Sequence, residues 1–141
     1  MMIEAFELKR KGYYKQAIEL FYKLLAKESD NIEILSELGC LYLLLENYDR
    51  AVHYTQKALD IDENHVNSLM TLKSIAQKNG EIEKAGKIAN KIYIITSSQE
   101  DLAEFLKLLN KQKLYNEATG FADMVTASVS AKEVAIAYFK L

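Results

Sequence analysis

The hydrophobic positions of this chain follow two rhythms, one nested in the other. The short rhythm is helical. Leu35, Leu38, Leu41 and Leu45 fall three or four apart, Glu46 and Asn47 interrupt them, and Tyr48, Ala51, Tyr54, Ala58 and Leu59 resume the spacing. Residues so spaced share one face of an α-helix, which predicts two amphipathic helices joined by a tight turn. The long rhythm repeats that pair. Ala17, Ala51, Ala85 and Ala118 are 34, 34 and 33 residues apart. Tyr14, Tyr48, Ile82 and Tyr115 keep the same steps, as do Leu24, Ala58, Ile92 and Val125. A fourth register, Gly12, Glu46, Gly80 and Lys113, falls at the turn inside each pair. A fixed period of this length marks a repeat architecture, in which each helix pair buries its apolar face on the next.

Over the whole chain the pattern predicts helices at 2–11, 14–28, 31–45, 48–61, 65–79, 82–96, 99–112, 115–127 and 131–141. Start signals support these positions. Asp30 precedes Glu33 by three residues and Ser98 precedes Asp101 by three, so each is a candidate N-cap with an acid in the first turn. Ser130 with Glu133 has the full form of a capping box. The expected domain is a single one over 1–141, with repeats at about 1–31, 32–65, 66–98 and 99–130 and a C-terminal helix at 131–141.

Composition agrees with helix. There is no proline, only five glycines, and half of the 141 residues are hydrophobic, enough for a packed core. The single cysteine, Cys40, excludes an internal disulfide framework and fits a reducing compartment. No run reaches the roughly 18 apolar residues that a membrane span requires, and the N-terminus lacks a signal-peptide core. These features point to a cytoplasmic protein without a membrane partner. The net charge of −2 argues against a nucleic-acid partner. Residues 1–65 carry 8 basic and 12 acidic side chains and residues 66–141 carry 10 and 8, a mild offset typical of solvated helix faces.

These residues resemble the tetratricopeptide repeat, whose pattern is W-x2-L-G-x2-Y followed by A-x3-F, A and P. The best copy is 32–65, with Leu35-x2-Leu38-Gly39-x2-Tyr42, then Tyr48, Ala51 and Ala58. The first repeat carries Ala5, Leu8, Gly12, Tyr14, Ala17 and Phe21; the third has Leu69, Leu72, Ala76, Gly80, Ala85 and Ala89. Lys73 departs from the small residue expected at the slot of Gly39, and Glu63 stands in place of the proline that ends a repeat. The resemblance implies an all-α fold: a right-handed superhelical stack of antiparallel helix pairs, a TPR-like α-solenoid of about four repeats plus the C-terminal helix. Small residues such as Gly39, Ala51 and Ala85 are expected where helices approach closely.

The resemblance also implies a partner-binding face. In this family the first helix of each repeat lines the concave side. By register that places Met2 and Phe6 there from repeat one, and Ser36, Glu37, Cys40, Leu43 and Leu44 from repeat two. Met70, Thr71 and Ser74 follow from repeat three and Lys107 from repeat four. The implied partner is another protein or peptide. Members that grip the C-terminal tail of heat-shock chaperones use Lys and Asn, then Asn, then Lys and Arg. The matching places here are Met2, Phe6, Glu37, Asn67 and Thr71, so that clamp is not expected.

Other motifs carry less. Asp60, Asp62 and Asn64 imitate the start of a calcium loop, but His65 and Thr71 stand where glycine and glutamate are needed. A polar helix end explains them better. His53 and His65 each have an aspartate nearby, which does not complete a metal site. Lys9, Arg10, Lys11 and Lys15 suit the end of the first helix. No catalytic constellation, cofactor motif or metal set emerges, so an enzyme is not expected. The leading function is an adaptor holding a peptide or helical segment of a partner. The alternatives are a structural, self-assembling homo-oligomeric module or a regulatory piece of a larger protein. Oligomer contacts are expected from Ile136 and Phe139 on the C-terminal helix.

Overall fold

A computed structural model describes the protein over residues 1–111. Seven α-helices make up those residues: α1 (Met2–Arg10), α2 (Tyr14–Lys27), α3 (Ile32–Leu44), α4 (Tyr48–Ile61), α5 (Val66–Lys78), α6 (Ile82–Thr96) and α7 (Gln99–Lys111). Each predicted helix end in this range falls within one residue of the observed one. The predicted helices 115–127 and 131–141, with Ile136 and Phe139, lie outside the described residues.

The fourth register of the sequence has a backbone meaning. Gly12, Glu46 and Gly80 all adopt positive φ, at 89°, 59° and 76°. Each ends the first helix of its pair in the same way. The amide of the left-handed residue donates three residues back and the next amide donates five back: Gly12 to Lys9 and Tyr13 to Leu8, Glu46 to Leu43 and Asn47 to Tyr42, Gly80 to Gln77 and Glu81 to Ala76. These bonds satisfy carbonyls that the helix end leaves without partners. The period in the sequence is thus a period in helix termination.

Helix starts are less uniform. Asn31, not Asp30, caps α3, its Oδ1 accepting from Glu33 N at 3.0 Å and Ile34 N at 3.3 Å. The carboxamide one residue later is placed to reach both amides. Ser98 caps α7 as the sequence suggests, accepting from Glu100 N and Asp101 N. Asp62, at the imitation calcium loop, accepts from Asn64 N at 3.0 Å in the turn between α4 and α5.

The chain divides into two compact units, Met1–Ile75 and Ala76–Leu141. In the first, Ala5, Ala17, Phe21, Ile34, Leu38, Leu41 and Ala51 form the centre of a core from α1 to α4. Small residues permit the close approach of α3 and α4. A Cβ on Gly39 would overlap Thr55 Oγ1 and lie 3.2 Å from Thr55 N. In the second, Ala85, Ala89 and Tyr93 of α6 pack with Phe105, Leu108 and Leu109 of α7. Burying such side chains contributes about 1.5–3 kcal/mol each for the larger ones.

Candidate functional site

Residues from three first-of-pair helices converge in the first unit. On α3, Glu33, Glu37, Cys40 and Leu44 are spaced by four, three and four residues, which puts them on one stripe of the helix. Ser36 flanks that stripe. On α1, Met2, Phe6 and Lys9 form the corresponding stripe by the same spacing. Phe6, Glu33, Ser36, Glu37, His65 and Asn67 line a cleft of about 290 Å³, with His65 immediately before α5 and Asn67 in its first turn.

Each lining group has a definite state. Phe6 is 38% exposed and sets its ring edge-on to buried Phe21, 5.5 Å between centroids. Lys9 reaches across from α1 and donates to Glu37 Oε2 at 2.6 Å. Burial disfavours the Lys9 ammonium, but the hydrogen bond to Glu37 and the neighbouring Cys40 outweigh it and hold its pKa above the ordinary lysine value. His65 Nδ1 lies 2.8 Å from Ser68 Oγ, and Ser68 is fully buried. Three groups remain uncommitted among the described residues, one of them the exposed Asn67 side-chain amide. The Glu33 carboxylate is exposed and makes no ion pair, and the Ser36 hydroxyl, on a residue only 5% exposed, has no hydrogen-bond partner.

The residues expected at this face take different places. Phe6, Ser36 and Glu37 meet in the cleft. Leu44 and Met70 are exposed, at 46% and 44%. Met2 and Leu43 are half-buried and pack against the core, while Cys40 and Ser74 are half-buried. Thr71 is buried, its hydroxyl donated to the Asn67 carbonyl in the preceding turn at 3.1 Å. Lys107 is exposed on α7 in the second unit. In that unit Gln77 donates to Glu104 at 3.5 Å. Two cleft residues escaped the sequence reading, Glu33, taken only as a first-turn acid, and His65, weighed only against a metal site; so did Lys9, just outside the lining. The signal for Lys9 was its position three residues after Phe6 on the same helix face.

The basic group at the end of α1 is largely paired. Besides Lys9 with Glu37, Arg10 and Lys11 both approach Glu7, at 3.2 and 4.0 Å. A second polar cluster lies away from the cleft. Tyr54 of α4 donates to Tyr22 of α2 at 3.0 Å, Tyr22 and Tyr42 of α3 share a hydrogen bond of 2.5 Å, and Arg50 donates to Tyr42 at 3.2 Å. Tyr42 and Tyr54 stack with centroids 5.8 Å apart. Burial pushes the Tyr22 and Tyr42 hydroxyls above the usual tyrosine range. No helix among the described residues is long and apolar enough to cross a membrane.

Comparison with known proteins places this geometry in a family. BBSome complex member BBS4 of Bos taurus is 31% identical over 75 residues, which is 53% of this chain but only 14% of that protein. The structure of MamA MSR-1 C2 superposes with a TM-score of 0.65 over 96% of this chain and 73% of its own, at 15% identity, a likeness of fold alone. The profile of the Cilia and flagella-associated protein 70 middle TPR-like domain matches residues 3–135. With paired helices at a 34-residue spacing, shared left-handed turns and that match, the chain belongs to the Cilia and flagella-associated protein 70 middle TPR-like domain family.

Proposed function

We propose that this TPR-like domain is a protein-interaction module whose first-helix face holds a peptide or helical segment of a partner protein, and that it catalyses no reaction itself. One observation carries the reading: α1, α3 and the start of α5, one from each of three successive repeats, contribute side chains to a single cleft with a part-exposed phenylalanine in its wall. Exposed Leu44 and Met70 on the same helices supply further apolar surface. Large side chains held partly open by a rigid scaffold suit the anchoring of a partner's apolar residues.

The test begins with peptides selected from a displayed library on the whole chain. Their affinities are then measured by titration calorimetry for the wild type, Phe6→Ala, Met70→Glu and Val52→Glu. Val52 is exposed on α4, a second helix of its pair, and serves as the control. Loss of binding in the first two variants, with unchanged circular dichroism and unchanged binding by Val52→Glu, is the expected result. Binding that survives both and fails in Val52→Glu would place the partner on the other helices.

A further inference from the structure

We propose that the cleft between Phe6, Ser36 and Asn67 is a socket for an arginine side chain of the bound segment; this rests on the reading of the first-helix face as the partner's site. The acceptors come first. Among the described residues the Glu33 carboxylate makes no ion pair, the hydroxyl of the largely buried Ser36 lines the cleft without a partner, and Asn67 offers an exposed amide on the facing helix start. The Ser36 hydroxyl opens onto the cleft and is free to accept an N–H from a ligand. Guanidinium presents five N–H donors in a planar fork and matches several acceptors spread around a cleft, which a compact ammonium does less well.

Charge and shape agree. Two carboxylates line the cleft, and Lys9 is engaged by Glu37 at 2.6 Å, so among the described residues Glu33 has no ion-pair partner and is offset only by the N-terminus of α3. An anionic ligand would meet Glu33 directly. The Phe6 ring supplies a wall on which a guanidinium plane can lie, a favourable arrangement for a weakly hydrated cation. At about 290 Å³ the cleft lies at the small end of ligand pockets, suited to one side chain and not to a cofactor.

The experiment uses the whole, nitrogen-labelled chain and three blocked amino acids: N-acetylarginine methylamide, its neutral citrulline counterpart and its norleucine counterpart. Amide signals are followed by NMR. The arginine compound is expected to shift Glu33, Ser36 and Asn67 saturably, and the citrulline compound to bind about tenfold more weakly or worse. Glu33→Gln keeps the cap supplied by Asn31, so it should retain a folded spectrum yet lose about tenfold in arginine affinity. Equal binding of citrulline, equal binding by Glu33→Gln, shifts confined to other residues, or no saturable shift up to the solubility limit would each overturn the socket. The library peptides separate the two claims. Peptides that need Phe6 and Met70 but carry no arginine overturn the socket and leave the partner face standing, whereas binding indifferent to both residues overturns the face itself.

Discussion

Gly39 and Thr55 meet where α3 crosses α4, and neither side of the contact has room to spare. An added Cβ at residue 39 would overlap Thr55 Oγ1 and lie 3.4 Å from the Ala51 carbonyl. The Thr55 hydroxyl is itself buried without a hydrogen-bond partner among the described residues. Gly39→Ala is therefore expected to lower the unfolding free energy by about 1–2 kcal/mol, although alanine is the better helix former by about 1 kcal/mol. Removing the hydroxyl relieves the overlap, so Gly39→Ala with Thr55→Ala should recover part of the loss, a coupling of about 1 kcal/mol. Urea unfolding of the four proteins in the cycle measures this, and strict additivity would show that the crossing can relax.

Gly86 gives the opposite expectation. It is a buried glycine inside α6, yet among the described residues a Cβ there meets nothing within 4 Å. Gly86→Ala should gain helix propensity without a clash and raise stability by about 1 kcal/mol. A fall in melting temperature would show the space to be occupied.

Glu46 is the non-glycine member of the three left-handed turns. A side chain in that conformation costs about 1–2 kcal/mol, part of which glycine returns through its floppier unfolded state. Glu46→Gly is expected to stabilise by roughly 0.5–1 kcal/mol. Gly80→Ala should destabilise by a similar amount, because alanine must then take φ near 76°. Thermal melts of both variants check the pair.

Alkaline pH should weaken the first unit. Lys9 holds its proton more tightly folded than unfolded, so its contribution is complete below the unfolded value of 10.5 and is lost as pH climbs through the higher folded value. The raised values of Tyr22 and Tyr42 act in the same sense above 10.0. At neutral pH, Lys9→Met is expected to be less stable than the wild type by about 1 kcal/mol. Denaturant unfolding across the alkaline range should show that gap closing above 10.5. A gap that stays constant would mean that the Lys9 stem, and not its charge, is what α3 needs.

Much of this fold was legible because the repeat writes itself into residue types that backbone geometry demands. Gly12, Glu46 and Gly80 marked the turns before their φ angles were known, and the alanines at 17, 51 and 85 marked buried positions. The misplaced cap at Asp30 reflects a one-residue choice between two side chains of similar chemistry, settled by where Asn31 points its carbonyl. The site was read more coarsely. Helical spacing put Leu43 and Leu44 together, yet neighbours 100° apart on a helix face different surroundings, and Leu43 packs on the core while Leu44 is exposed. Lys9 with Glu37 was invisible for another reason: 28 residues separate them, and only the distance between α1 and α3 decides that they touch.

The tyrosine cluster bears on how the first unit comes apart. In a chain of repeats, stability divides into what each repeat holds alone and what it gains from its neighbour. Tyr22 belongs to the first helix pair, and Tyr42 and Tyr54 to the second, so their hydroxyl bonds and ring contacts belong to the neighbour's share. Their loss falls on the coupling between repeats before it falls on either repeat. Three phenol oxygens thus help determine whether α1 and α2 can fray alone or must melt together with α3 and α4.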